Sequence, residues 1–219
     1  MGSDLTIVNS ARVSFGKHKE ALDEKDKRLI NYLVKHRHTS TFEHNIVTFR
    51  FVVPLFVRSQ HHRHRTWSYN EISRRYTDVN IQFYEPEHFR TQHKSNRQAS
   101  NAEELIDPAM LAFEDGSKLS ASSLIKRHHE YSFKLFEDLI EAGVCREQAR
   151  GVLPQNMYTE YYGTVNLSNL LKFIDLRTHE GAQWEIQKVA EACLDIAEDL
   201  WPVAVSSYRN SKNEKDSVS

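Results

Sequence analysis

The longest unbroken apolar run in this 219-residue chain is FVVPLFV, Phe51 to Val57, and a proline divides it. Seven residues fall far short of the ~20 that a helix needs to cross a bilayer. Pro54 cannot donate to a sheet ladder but suits the first turn of a helix. A strand over Ile46 to Val53, rich in Val, Phe and Thr, must therefore end there and pass into another element. Directly beyond, residues 58–75 read RSQHHRHRTWSYNEISRR, with five arginines, three histidines and one glutamate. The fold has to carry a dense cationic segment straight out of a buried strand-to-helix junction.

That segment is a local feature. Lys+Arg 29 against Asp+Glu 30 leaves a formal charge of -1, so no global field draws the molecule to nucleic acid or membrane. With 39% apolar and 27% charged residues the composition is that of a globular protein, and this length fills one core but is short for two. The expectation is a single domain over residues 1–208 and a flexible polar tail over 209–219. The start shows no secretory signal, and two cysteines, Cys145 and Cys193, cannot make a disulfide framework; both suit a cytoplasmic location. MGSDLT fits the loose myristoylation pattern but reads as an ordinary start.

Apolar spacing predicts helices over Ala21 to His36, Leu124 to Ile140 with Gly143 as cap, Ser168 to Leu176 and Ala182 to Leu200. Short strands are expected at Val79 to Tyr84 and Asn156 to Val165. Residues 85–117 are polar and aperiodic, so a loop or lid is expected there. The sum is a mixed α/β (α+β) chain without internal repeats.

A cation run is often a solvated face, but residues 58–75 contain no lysine, and Trp67, Tyr69, Asn70, Glu71 and Ser73 are interleaved with the arginines. Arginine's planar fork grips phosphate through two parallel bonds, and rings and acceptors suit a phosphorylated, ring-containing ligand. On a helical turn, Gln60, Arg63 and His64 would share one face and Arg65 would point elsewhere. His61, His62 and His64 suggest zinc only weakly, because neighbouring guanidinium groups repel the ion, so no metal is expected. A non-catalytic binder of single-stranded nucleic acid, with Trp67 and Tyr69 stacking on bases, is the second reading.

Arg63-His64-Arg65, seven residues and then Ser73 form the R-H-R-x7-S pattern, and the chain resembles the flavin-dependent thymidylate synthases (ThyX). Ala11-Arg12-Val13-Ser14, HTSTFEH from His38, Arg150-Gly151-Val152-Leu153-Pro154, Asn166 and LRTHEGAQWEI from Leu176 follow in that family's order. The resemblance implies a central antiparallel sheet flanked by helices, and a homotetramer with shared active sites. It implies reductive methylation of dUMP to dTMP, with FAD, NADPH and 5,10-methylenetetrahydrofolate, and no nucleic-acid or membrane partner. By position, Ser40, Arg63, His64, Arg65, Glu71 and Asn166 would contact FAD, with His38 near the flavin and folate. Gln60, Arg63, Glu71, Ser73, Arg74, Arg75, Arg150 and Arg177 would surround dUMP. Two positions depart from the pattern: Arg74 stands where some relatives carry Gly, and Lys172 where some use Asn to meet FAD.

With only seven glycines, no G-x-G-x-x-G and no P-loop, any dinucleotide must be met by side-chain cations. Making C5 of uracil electron-rich takes either a thiolate adding at C6 or a charge facing the N3/O2 edge of the base. Cys193 reads as a core residue; Cys145, beside Arg146, is the better thiol but matches no family position. Arg177 matches the residue given the charge role in the family and is the expected catalytic group; a helix C-terminal cation favoured by the dipole is the alternative reading.

Overall fold

A computed structural model describes residues 2–216. In chain order its elements are α1 (Asp4–Arg12), α2 (Glu24–Lys35), β1 (Ile46–Pro54), α3 (Leu55–His61), β2 (Ser68–Glu71), β3 (Phe89–Gln92) and β4 (Ser100–Ile106), then β5 (Ala109–Leu111), β6 (Lys118–Ser120), α4 (Ala121–Glu141), α5 (Arg146–Ala149), β7 (Tyr158–Asn166), α6 (Leu167–Arg177), α7 (Trp184–Leu200) and α8 (Pro202–Asp216). One sheet has the order β1-β7-β2; β3 with β4 and β5 with β6 form antiparallel pairs. The architecture is the expected mixture of helices and antiparallel sheets. No helix among the described residues is long and apolar enough to cross a membrane.

The chain forms two compact units: residues up to 49, 64–68 and from 163 onward make the first, and 50–63 with 69–162 make the second. In the first, Ile7, Val8, Ile30, Leu170, Phe173, Ile174 and Trp201 are essentially inaccessible. Each such side chain contributes on the order of 1.5–3 kcal/mol by leaving water. Several buried polar groups in this unit are matched by partners. Asn45 accepts from Trp201 Nε1 at 3.0 Å through its side chain and from the Leu167 amide at 2.8 Å through its carbonyl. Asp4 accepts the amides of Val203 (2.9 Å) and Ala204 (3.0 Å), capping the start of α8. Burial raises the Asp4 pKa, and those two bonds only partly offset it. Asp26, wholly buried, receives Arg12 Nη2 at 2.5 Å and the Lys19 ammonium. Burial alone would raise the Asp26 pKa, but the Lys19 and Arg12 bonds prevail and hold it low.

In the second unit the inward face of β7 and α3 meet around aromatic rings. Tyr161 stacks on Phe51 at 5.0 Å, and its hydroxyl lies 2.7 Å from Nδ1 of fully buried His61. The β1-to-α3 handover falls at Pro54, as the sequence requires, and the Leu55 amide bonds the Met157 carbonyl at 3.0 Å. His129 of α4 is held by Glu85 at 2.9 Å and stacks on Phe83 at 4.7 Å.

The structure corrects several expectations. Residues 85–117 form the strands β3 to β5 where a loop was expected; their side chains are mostly exposed on both faces, so no burial pattern marks them. Of Val79 to Tyr84, only Phe83 pairs, in an isolated bridge to Met157. Helix α1 was not expected, although Asp4, Ile7 and Val8 are buried at helical spacing. Where a tail from residue 209 was expected, α8 continues to Asp216, and Arg209 pairs with Glu198 at 2.8 Å. Residues 217–219 lie outside the described residues.

Candidate active site

The second unit holds a cavity of about 720 Å³ whose wall draws on three stretches of chain. Arg58 comes from α3; Glu71, Ser73, Arg74 and Arg75 from the end of β2 and the turn after it; Arg150 from the short turn beyond α5. Four arginines face two glutamates, Glu71 and Glu147, so the wall is cationic and suits an anion. Five residues expected to surround dUMP, namely Glu71, Ser73, Arg74, Arg75 and Arg150, therefore share one wall, although 75 positions separate Arg75 from Arg150 in sequence.

Local bonds explain how the turn presents these groups. The Ser73 carbonyl accepts the Tyr76 and Thr77 amides at 3.0 and 3.2 Å, and Ser73 Oγ accepts the Arg75 amide at 3.4 Å. Arg74 donates from Nη1 to the Val79 carbonyl at 2.7 Å, while its Nε is buried with no partner among the described residues. Burial lowers the Arg74 pKa. Arg74 thus braces the 74–79 turn as well as lining the cavity. Glu71 receives Thr159 Oγ1 at 2.6 Å and Arg58 Nε at 3.1 Å, both on Oε1.

The first unit holds another cavity, of about 440 Å³ and within the range typical of ligand sites. His38 and Lys172, both expected near the flavin, line it together with Arg37, Ser168, Asp175 and Lys212. Ser168, Lys172 and Asp175 share a face of α6 by their i, i+4, i+7 spacing. Ser168 is 5% exposed and its hydroxyl has no partner among the described residues, a vacancy for hydrogen bonding that costs stability unless something fills it. A pyrophosphate-bearing cofactor such as FAD fits this set of cations and a hydroxyl.

Arg177 and His64 meet in the first unit. Arg177, the last residue of α6, donates from Nε to His64 Nε2 at 3.0 Å. Arginine cannot accept, so His64 must be neutral there, with its proton on Nδ1. Burial, then the Arg177 charge, lowers the His64 pKa to about 4, and Phe173 packs edge-on against the ring at 4.9 Å. Burial also lowers the Arg177 pKa, so this guanidinium is incompletely hydrated.

The other expected residues are placed as follows. Arg63 and Arg65 are exposed and line neither cavity among the described residues. Ser40 is exposed in the turn Thr39–Phe42, and Asn166 caps α6 by accepting the Asn169 amide at 2.9 Å. Gln60 is half-buried near the end of α3 and lines neither cavity. Because α3 ends at His61, Gln60, Arg63 and His64 do not share a helical face; the Trp67 amide instead closes a turn onto the His64 carbonyl at 3.3 Å. Trp67 is 6% exposed and packs on Phe49 and Phe173, and the Tyr69 hydroxyl donates to the His61 carbonyl at 2.9 Å. Trp67 therefore presents no free ring for stacking on bases, and the nucleic-acid reading loses its main physical support.

Arg58, Thr159, Ser168 and Lys212 escaped the sequence reading. The i, i+4 partnership of Ser168 with Lys172 was the one available signal; Thr159 takes its place from cross-strand register, which a sequence does not display.

The family model described as thymidylate synthase complementing protein matches residues 1–203. A flavin-dependent thymidylate synthase of Thermus thermophilus is 43% identical over 208 residues, covering 95% of this chain and 72% of the relative. One from Thermosipho africanus is 41% identical, covering 95% and 87%. Among solved structures, the UMP/dUMP methylase PolB of Streptomyces cacaoi, bound with 5-Br dUMP, superposes with a TM-score of 0.77 at 32% identity, covering 95% of this chain and 91% of the other. A motif spanning Arg63 to Ser73, a match along nearly the whole chain and a shared fold lead to one conclusion: the chain belongs to the flavin-dependent thymidylate synthase family.

Proposed function

We propose that this chain methylates dUMP reductively to dTMP, taking carbon from 5,10-methylenetetrahydrofolate and reducing equivalents from NADPH through FAD. The observation that carries the reading is the shared wall of Glu71, Ser73, Arg74, Arg75 and Arg150 in a cationic cavity of about 720 Å³. Ser73 Oγ and the guanidinium groups of Arg75 and Arg150 bind the nucleotide phosphate, with Arg74 supporting them. Gln60, Arg63 and Arg177, some of them from a neighbouring subunit, complete the dUMP contacts. His38, Lys172 and the unpartnered Ser168 hydroxyl hold FAD, joined by Ser40, Arg63, His64, Arg65, Glu71 and Asn166. Reduced FAD, when bound, supplies the hydride that completes the methyl group.

Arg177 is the catalytic group. Its guanidinium, facing the N3/O2 edge of uracil, favours the deprotonated base and moves electron density to C5. His64 serves this role by accepting from Nε, which fixes the plane of the guanidinium. No thiolate is needed. Cys193 is buried, with its pKa pushed up to about 12, the opposite of a nucleophile's requirement.

The catalytic domain extends past residue 208 to the end of α8 and works in the cytoplasm as a homotetramer with shared sites. Large apolar side chains left open, Phe15 at 78% and Val13 at 71%, are consistent with subunit contacts. Purified protein tests the whole reading. Yellow colour, NADPH oxidation dependent on dUMP and folate, and dTMP product are expected; colourless protein that takes up no added FAD would refute it.

A further inference from the structure

The cationic cavity contains one arrangement that phosphate binding does not explain. Thr159 is 4% exposed on the inward face of β7, and its hydroxyl donates to Glu71 Oε1 at 2.6 Å. Arg58 Nε donates to the same oxygen at 3.1 Å. The Ile72 amide bonds the Glu160 carbonyl at 2.9 Å, fixing the end of β2 against β7. Two donors on one oxygen hold the carboxylate in a single rotamer. Oε2 makes no hydrogen bond among the described residues and is accessible.

A carboxylate repels phosphate, so on a bound nucleotide the free oxygen can address only a neutral donor. Glu71 lies two residues before Ser73, no more than about 7 Å along the chain. If Ser73 holds the phosphate, the donor within reach of Glu71 is on the sugar, next to that phosphate, rather than on the distant base.

We propose that Thr159 and Arg58 are positioning residues that lock Glu71 through Oε1 so that Oε2 accepts a sugar hydroxyl of the bound nucleotide. The clamp makes Glu71 a reader of the sugar. It also engages Arg58, leaving Arg74, Arg75 and Arg150 for the phosphate. This inference rests on the cavity being the dUMP site.

Calorimetry with the full-length protein provides the test, using dUMP and its 2′,3′-dideoxy analogue. The wild-type protein should bind dUMP more tightly than the analogue. Thr159→Val, nearly isosteric but without the donor, should weaken dUMP about 10-fold and largely abolish that preference. Thr159→Ser should restore both, and Arg58→Met should behave like Thr159→Val. In turnover, the loss should fall on KM for dUMP far more than on kcat. Wild-type discrimination in Thr159→Val overturns the clamp, and so does equal weakening in Thr159→Ser, which would mark a packing role. Ser73→Ala separates this from the broader reading: weakened dUMP there with unchanged Thr159→Val refutes the clamp alone, whereas unchanged affinity in both refutes the site.

Discussion

Lowering the pH perturbs His64 in a calculable way. The ring accepts a hydrogen bond from Arg177 and lies half-buried against Phe173. Its pKa falls from the ordinary 6.5 to about 4, first through burial and then through the Arg177 charge. A group with a depressed basic pKa binds fewer protons folded than unfolded between those two values, so stability is complete above pH 6.5 and declines as the pH falls towards 4. The full difference corresponds to ~3 kcal/mol. Solvent reaching the half-buried ring screens that to about 1–2 kcal/mol, of which roughly 1 kcal/mol is lost between pH 7.5 and pH 5. The His64 Cε1 proton, followed by NMR, should titrate with a midpoint below pH 5. In Arg177→Ala the charge is gone but burial remains, so the midpoint should rise while staying below 6.5. A wild-type midpoint at or above pH 6, or one that Arg177→Ala leaves in place, would refute the accepting, neutral imidazole and with it the orientation assigned to Arg177.

Arg177→Ala should also keep flavin colour while methyl transfer falls at least ~10²-fold, the scale of losing one preorganised charge-stabilising donor; near-normal turnover would refute its catalytic role. Asp26→Ala should lower the urea unfolding midpoint, because Arg12 and Lys19 lose the buried carboxylate they share; an unchanged midpoint would show the pair to be dispensable. Ser168→Ala discriminates a ligand site from a void: FAD affinity should drop several-fold while the apoprotein gains up to ~1 kcal/mol from losing an unpartnered hydroxyl, and unchanged FAD affinity would remove Ser168 from the site.

Most elements that bury one face were legible in the sequence, α1 being an exception. Predicted and observed limits of α2, α4, α6, α7, β1 and β7 agree to within a few residues, since burial imposes a period of two or 3.6 on the residue types. The β3–β4 pair was not legible, because its mostly exposed side chains face no core and are not selected by periodicity. The same logic applies to the site. Arginines of the motif announce anion chemistry by type and spacing, so Ser73, Arg74 and Arg75 were identified from the sequence and are found lining the cationic cavity. Arg58 sits in the same segment but is indistinguishable by type from its neighbours. Only the distance to Glu71 reveals that it serves a carboxylate.

The scarcity of glycine then takes on a physical meaning. A backbone nest binds phosphate with amides whose direction the fold sets, at the cost of flexible glycine in the unfolded chain. Side chains must be aimed individually, and three arginines here are each held by an acceptor. Arg74 bonds the Val79 carbonyl, Arg58 the Glu71 carboxylate and Arg177 the His64 ring. Each of these acceptors engages one edge of a guanidinium and fixes its plane, which a planar group with five donors allows and an ammonium does not. Substituting lysine at these positions would preserve charge while discarding direction. The absence of lysine from residues 58–75 is what a site built on aimed guanidinium groups requires.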